Sequence, residues 1–321
     1  MPRWIPTKNA GRRVDFVLLS SLFLSSLLLA SGAWAEEPLT LAKNSTQVVF
    51  QSGDRVLAKY RYAEVPYKPY VEELCSPSGI NILRDSPQDH KHHHGLMFAI
   101  KVDGINFWEE HMAPGLQKGV DLSEPKTEKV GDVERGSFLQ QIDWINPPED
   151  KVLLKERRSI EVYRGEGLDA TLLAWRDVFS LPDGKGTATL TGSNYHGLGM
   201  RFLVSMDKEG EFKNADGKTG VDGTNDVKSA WCAYSAKADG HPVTVAMFDH
   251  PNNLRYPATW FTMDQGFAYL SDTMFLHREA VELLAGKELD LCYGVAVWDG
   301  KVGTEEIGKT YQKWLRIVNA E

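Results

Sequence analysis

The apolar positions of this chain fall in short runs broken by turn formers, not in the long 3.6-period stripes of a helical protein. Strand-like runs are expected at 56–62, 70–76, 96–102, 138–145, 152–163, 170–180, 187–192, 200–204, 230–236, 243–248, 267–270 and 289–298. Many are rich in Val, Tyr, Phe and Trp, which suit a pleated, half-buried surface. Six Asp-Gly pairs, beginning at Asp103, Asp183, Asp216, Asp222, Asp239 and Asp299, punctuate them. Both residues tolerate positive φ, so the pair is a tight-turn signal. The pattern predicts an all-β, antiparallel sandwich or barrel. One helix is predicted at 304–318. Thr304 can cap it, Glu305 and Glu306 favour its positive end, and Ile307, Tyr311, Trp314, Leu315 and Val318 form its apolar stripe, packed over one end of a sheet. The glycine- and charge-rich stretch 207–228 reads as a long surface loop.

The N-terminus departs from this pattern. Arg3, Lys8, Arg12 and Arg13 precede an apolar stretch from Phe16 to Ala30, and Ala33-Trp34-Ala35 follows as an A-x-A site. That is a secretory signal, with cleavage expected before Glu36 and residues 36–321 forming a single domain. No later stretch reaches the length of a transmembrane helix, so no stable membrane insertion is expected after cleavage. Loss of residues 1–35 moves the net charge from −8 to −11 over the remaining 286 residues. An acidic exported chain is a poor partner for nucleic acid or anionic membrane surfaces. The expected location is the periplasm or the extracellular space. Three cysteines, Cys75, Cys232 and Cys292, leave at least one thiol unpaired within the monomer, and their spacing is too wide for a zinc knuckle.

Candidate chemistry concentrates at one place. Four of the nine histidines fall in Asp89-His90-Lys91-His92-His93-His94-Gly95, just ahead of the apolar run 96–102. Imidazole is both the commonest metal ligand and the readiest proton carrier near neutral pH. If the strand begins early, alternation puts His90, His92 and His94 on one face and Lys91 and His93 on the other. His90 and His92 could then share a divalent metal with a distant partner. The H-x-x-x-H spacing of helical zinc sites is absent.

A second segment, Phe248-Asp249-His250-Pro251-Asn252-Asn253-Leu254-Arg255, ends an apolar run with protonatable groups. A third, Tyr195-His196-Gly197-Leu198-Gly199-Met200-Arg201, places an arginine suited to polar sugar groups at a strand start. Phe107 and Trp108, beside Glu109, Glu110 and His111, can supply an aromatic platform, as can Trp231 and Tyr234. No P-loop, dinucleotide fingerprint or Gly-x-Ser-x-Gly elbow is present.

Lys68-Pro69-Tyr70, Ser76-Pro77-Ser78-Gly79, Asp89-His90-Lys91-His92-His93-His94-Gly95-Leu96, Gly197-Leu198-Gly199-Met200-Arg201-Phe202 and Phe248-Asp249-His250-Pro251-Asn252-Asn253 together resemble a bacterial, planctomycete-type family that carries the name "methane oxygenase PmoA" and is otherwise a domain of unknown function. The likeness runs over roughly residues 45–316. His90, His92 and His93 match the family's histidines. Lys91 stands where its pattern has proline, His94 where it has arginine, and His196 where it has glycine or another small residue. The activity in the name is not expected here, because a membrane methane monooxygenase subunit needs several apolar spans.

What the resemblance implies is a two-layer antiparallel β-sandwich of the supersandwich, galactose-mutarotase-like kind, and an exported carbohydrate-active protein. The expected chemistry is acid–base work of an epimerase, lyase or hydrolase on a sugar derivative or oligosaccharide. His93 and His250 are the expected acid and base, in one shared cleft, with Asp89 and Asp249 orienting them. Arg201, Asn253, Arg255 and Trp108 would hold the substrate. A pH profile with an inflection near ~6.5 would follow from His93. A non-catalytic glycan-binding module and a metal-dependent, cupin-like oxygenase are the alternatives.

Overall fold

The computed structural model describes residues 3, 4 and 37–320. The expected export signal lies almost wholly outside the described residues. No helix among the described residues is long and apolar enough to cross a membrane.

Two nine-stranded antiparallel sheets lie face to face. The first runs, from edge to edge, through Leu39–Lys43, Gln47–Ser52, Arg55–Arg61, Tyr70–Leu74, Leu96–Ala99, Gly197–Arg201, Tyr269–Thr273, Thr259–Met263 and Val227–Lys228. The second runs through Glu211–Asn214, Trp231–Ala238, His241–Asp249, Leu289–Asp299, Ala170–Ser180, Lys151–Gly165, Val133–Asn146 and Leu116–Leu122, with Lys126–Val130 also paired to Val133–Asn146. A small four-stranded sheet adds Val281–Leu284, Thr187–Thr191, Lys101–Val102 and Ile105–Asn106. The predicted two-layer antiparallel sandwich with a C-terminal helix is what the chain forms.

Period-two alternation decides what each face of the second sheet meets. Leu173, Trp175, Val245, Met247, Val295 and Val297 point into the core between the sheets. Their neighbours Leu172, Ala174, Ala246, Phe248, Ala296 and Trp298 point outward into a second apolar cluster. That outer face would meet water if the helix Thr304–Val318 did not cover it with Ile307, Tyr311, Trp314 and Ile317. The helix thus lies on a sheet face, not over an end. Its N-cap is Gly303, with no capping side chain, so Thr304 is its first residue and not its cap. Across the inner core, Phe98 of the first sheet meets Trp144, Phe179 and Tyr293 of the second, at ring-centroid distances of 6.3, 5.5 and 6.3 Å.

The turn chemistry reads well. Asp103-Gly104 and Asp239-Gly240 each adopt two successive positive φ values and close two-residue hairpins. The stretch 207–228 is not a loop throughout. It contains the strand Glu211–Asn214, the short helix Gly220–Thr224 and the strand Val227–Lys228. Its glycines and charges mark the turns between short elements. All three cysteines are free thiols.

Candidate functional site

The histidine run is not strand. His90 N–H donates to Pro87 O at 3.0 Å, His93 N–H to His90 O at 2.9 Å and Ser86 N–H to His93 O at 2.9 Å, which folds residues 85–94 into successive tight turns. Gly95 ends them at φ +47°, where an added Cβ would stand 2.2 Å from Val71 O. The strand Leu96–Ala99 starts only beyond it. The expected alternation of His90, His92 and His94 on one face therefore fails. A three-residue turn instead brings His90 and His93 together, stacked at 4.7 Å, with His92 4.6 Å from His93 and 5.7 Å from His90.

His94 points away from this group into a buried ionic network. Its Nδ1 meets Asp85 and its Nε2 meets Glu110, both at 2.8 Å. Glu110 also accepts from buried Lys68 at 2.5 Å, and Asp85 accepts from the Tyr70 hydroxyl at 3.0 Å. Burial disfavours charge on His94, but the two carboxylates outweigh it, so its pKa is raised. His94 is a doubly donating imidazolium pinning the loop to Glu110, two residues beyond Trp108.

His90, His92 and His93 face a cleft of about 360 Å3 whose other walls are Trp108, Glu109, Tyr195, Phe261, Met263, Gln265, Phe267 and Tyr269. Strand alternation builds one wall: Phe261 and Met263 are two apart on Thr259–Met263, and Met263 lies directly opposite Tyr269. Gly199 makes room for another. A Cβ there would lie 2.3 Å from the Tyr269 hydroxyl and 3.0 Å from the Trp108 ring. Behind Trp108, buried His196 stacks on it at 5.0 Å with an 11° interplanar angle, so this residue is aromatic backing.

The electrostatics separate the imidazoles. His93 is nearly buried, and burial first, then the electrostatic influence of the neighbouring imidazoles and Arg201, push its pKa down to about 2. It is neutral at ordinary pH and does not titrate near 6.5 as expected from sequence. His92 is also lowered, chiefly by burial, against the attraction of Glu109. Glu109 lies 3.2 Å from His92 Nε2 and accepts from the Tyr195 hydroxyl at 3.1 Å. Asp89 sits at the rim. Burial pushes its pKa up, but hydrogen bonds from His90 at 3.0 Å and Arg201 at 2.9 Å outweigh that and hold it below the usual carboxylate range. Three lining side chains carry buried polar atoms that find no partner in the protein: His93 Nδ1, Trp108 Nε1 and the Tyr269 hydroxyl.

Other expected site residues lie elsewhere. His250 lines a different pocket, of about 160 Å3, together with Arg176 of the second sheet and Asn319 beyond the helix. Its Nε2 meets Asn319 Oδ1 at 3.2 Å and its Nδ1 accepts from Asn252 N–H at 3.2 Å. His93 and His250 thus share no cleft. Asp249 is buried and receives Asn253 Nδ2 at 2.8 Å and Ala258 N–H at 2.7 Å; burial nevertheless raises its pKa to about 7. Asn253 spends the rest of its amide on the Cys292 backbone, donating to O and accepting from N–H at 2.7 Å each. Arg255 donates to the carbonyls of Met274, Glu279 and Ala280. These residues fasten loops. Arg201 is buried behind Phe267, with its guanidinium carbon 3.5 Å from the ring centre, and so stands behind the cleft wall. Of the expected substrate contacts only Trp108 lines the cleft. No group of three or more His, Cys, Asp or Glu side chains among the described residues is arranged to hold a metal ion. His90 Nδ1 and His92 Nε2, the expected ligand pair, each face a carboxylate instead.

Sequence reasoning missed Phe261, Met263, Phe267 and Tyr269 as one wall. The i, i+2 spacing within each pair was a usable signal; their pairing across strands was not readable.

The sandwich is similar in fold to the GH36 α-galactosidase AgaB from Geobacillus stearothermophilus, at 10% identity and a TM-score of 0.47 over 85% of this chain and 42% of that one. An α-galactosidase from Lactobacillus brevis overlaps at 5% identity and a TM-score of 0.47, over 85% and 41% of the two chains. The chain thus spans about two fifths of the length of these α-galactosidases. A galactose mutarotase-like protein from Lactobacillus casei overlaps at 10% identity and a TM-score of 0.39, over 81% of this chain and all of that one. No curated protein matches the sequence. A family model does match, over residues 47–312, and so takes in the histidine turns, the cleft walls and most of the closing helix: the chain belongs to the family of unknown function DUF6807.

Proposed function

We propose that the protein binds a sugar or sugar derivative in the histidine cleft and acts on it by proton transfer. The observation that carries this reading is a single cleft in which three imidazoles and the Glu109 carboxylate stand among the rings of Tyr195, Phe261 and Phe267. Imidazole nitrogens, a carboxylate and the Gln265 amide at one site suit a ligand that offers both donors and acceptors. Aromatic walls ask for a flat apolar face. A pyranose has both. The volume, about 360 Å3, falls in the range of roughly 300–1,000 Å3 usual for small-molecule sites.

In this reading His92 is the proton-transfer group. It is neutral at working pH and can take a proton, while Glu109 at 3.2 Å stabilises the imidazolium that forms. Tyr195 holds Glu109 in place. His93, kept neutral by burial, binds a substrate hydroxyl and does not exchange protons. Tyr195, Phe261 and Phe267, the partly exposed rings, form the face against which the sugar ring lies, with buried Trp108 and Tyr269 behind them. The reaction classes that fit are epimerisation, elimination and hydrolysis.

The test is a turnover screen of mono- and oligosaccharides with the purified protein. His92→Ala should lower turnover by about a hundredfold or more, the scale of a lost general base, with binding retained. Phe267→Ala should abolish binding. Binding without turnover, indifferent to His92→Ala, favours a glycan-binding module instead. That second reading is supported by the predominance of rings over ionisable groups in the walls.

A further inference from the structure

We infer that the histidine cleft continues into a second, more polar cleft, and that the two are adjoining subsites for a saccharide of at least two units. The inference rests on the sugar reading above. The second cleft has about 450 Å3, and Phe261 lines both. Asn194 lines the second and its chain neighbour Tyr195 lines the first. Tyr195 and Phe261 meet edge to face at 5.8 Å and form the sill between them.

The strand Thr259–Met263 runs through both clefts. Thr259 lines the second, Phe261 both, and Met263 the first. Side chains two apart share a face, so this stripe is one continuous groove floor. At ~3.3 Å rise per residue it extends about 13 Å, more than one pyranose ring spans.

The chemistry of the two ends differs. Rings and imidazoles line the first. The second offers Asn194, Asn225, Asp226 and Arg278. The exposed Arg278 guanidinium has no hydrogen-bond or ion-pair partner among the described residues. His277 lines the same cleft, and its buried Nδ1 finds no partner in the protein. The tight aromatic subsite holds the reacting unit; the polar one reads the hydroxyls of the next.

Calorimetric titration tests this, using glucose, galactose, mannose and xylose and the di-, tri- and tetrasaccharides built from each. The expected result is a series whose disaccharide binds about tenfold or more tightly than its monosaccharide, the scale of one hydrogen bond to a charged group. Arg278→Ala and Asn194→Ala should each erase that gain and leave monosaccharide affinity unchanged, which also shows that the variants fold. Equal affinity for mono- and oligosaccharides, or a gain indifferent to both substitutions, overturns the second subsite and leaves the histidine cleft as a sugar site. If no probe binds the unaltered protein, the sugar reading fails and this inference with it.

Discussion

Replacing His94 with glutamine tests whether the histidine turns are held by charge. In the native protein the ring is 1% exposed and donates to Asp85 and Glu110 at 2.8 Å each. Glutamine keeps one donor group and no charge, so a buried carboxylate loses its counter-ion. Breaking a buried pair by removing one member costs about 3–5 kcal/mol. The lower end applies here, because Glu110 keeps Lys68 at 2.5 Å and Asp85 keeps Tyr70 at 3.0 Å. About 3 kcal/mol is therefore expected at pH 6. The sign with pH follows from the raised pKa of His94. A basic group whose folded pKa is raised contributes its full stability below the unfolded value, near 6.5, and loses it as pH rises through the folded value. The native protein should thus lose its advantage over His94→Gln between pH 6 and pH 9. His94→Arg, charged throughout, should not show that loss. Urea unfolding at both pH values measures this, with equal slopes confirming that only stability has changed. Comparing the two proteins cancels the background from Asp249, whose own pKa near 7 also costs stability as pH rises. A penalty below about 1 kcal/mol at pH 6, or one that is the same at pH 9, refutes the argument.

Arg158 is buried among Glu156, Asp177, Tyr60, Gln117 and the Pro69 carbonyl, and lies 4.5 Å from the Trp175 ring centre; Arg158→Met should cost about 3–5 kcal/mol in urea unfolding. Turnover, once a substrate is found, should fall on the acid side below pH 6.5, because the lowered pKa of His92 keeps it basic above that point; an acid limb centred above 6.5 in the pH–rate profile assigns the base elsewhere. The thiols of Cys75 and Cys292 are pushed up to about 12, mainly by burial, and Cys232 is raised further. All three should resist a thiol reagent in the native state, and Cys→Ser changes at each should leave turnover intact. N-terminal mass spectrometry of the exported protein should find Glu36 or a close neighbour; an intact Met1 in the membrane fraction contradicts cleavage.

Sequence alone determined the class of the fold and pointed to the candidate cleft. Alternation with turn punctuation is a local property, and it marked most long strands within a few residues and the helix at 304–318. The strands at 39–43, 116–122, 126–130 and 281–284 escaped notice, since brief edge segments carry little apolar signal; those at 47–52 and 259–263 are interior strands whose alternation was present in the sequence but too short to stand out. The dense imidazole run marked the cleft because four histidines in five positions are a compositional anomaly, visible without coordinates. Which histidine does what was decided by tertiary structure. His94 differs from its neighbours through Asp85 at the start of its own turns and through Glu110 and Lys68, brought in from two other segments. His93 is silenced by burial under Tyr269 and Phe267, which lie some 175 residues away in the chain. His250 looked equivalent in sequence, yet its strand belongs to the other sheet. A side chain's pKa and partners depend on what packs around it within a few ångströms, and in an antiparallel sandwich those neighbours come from distant strands.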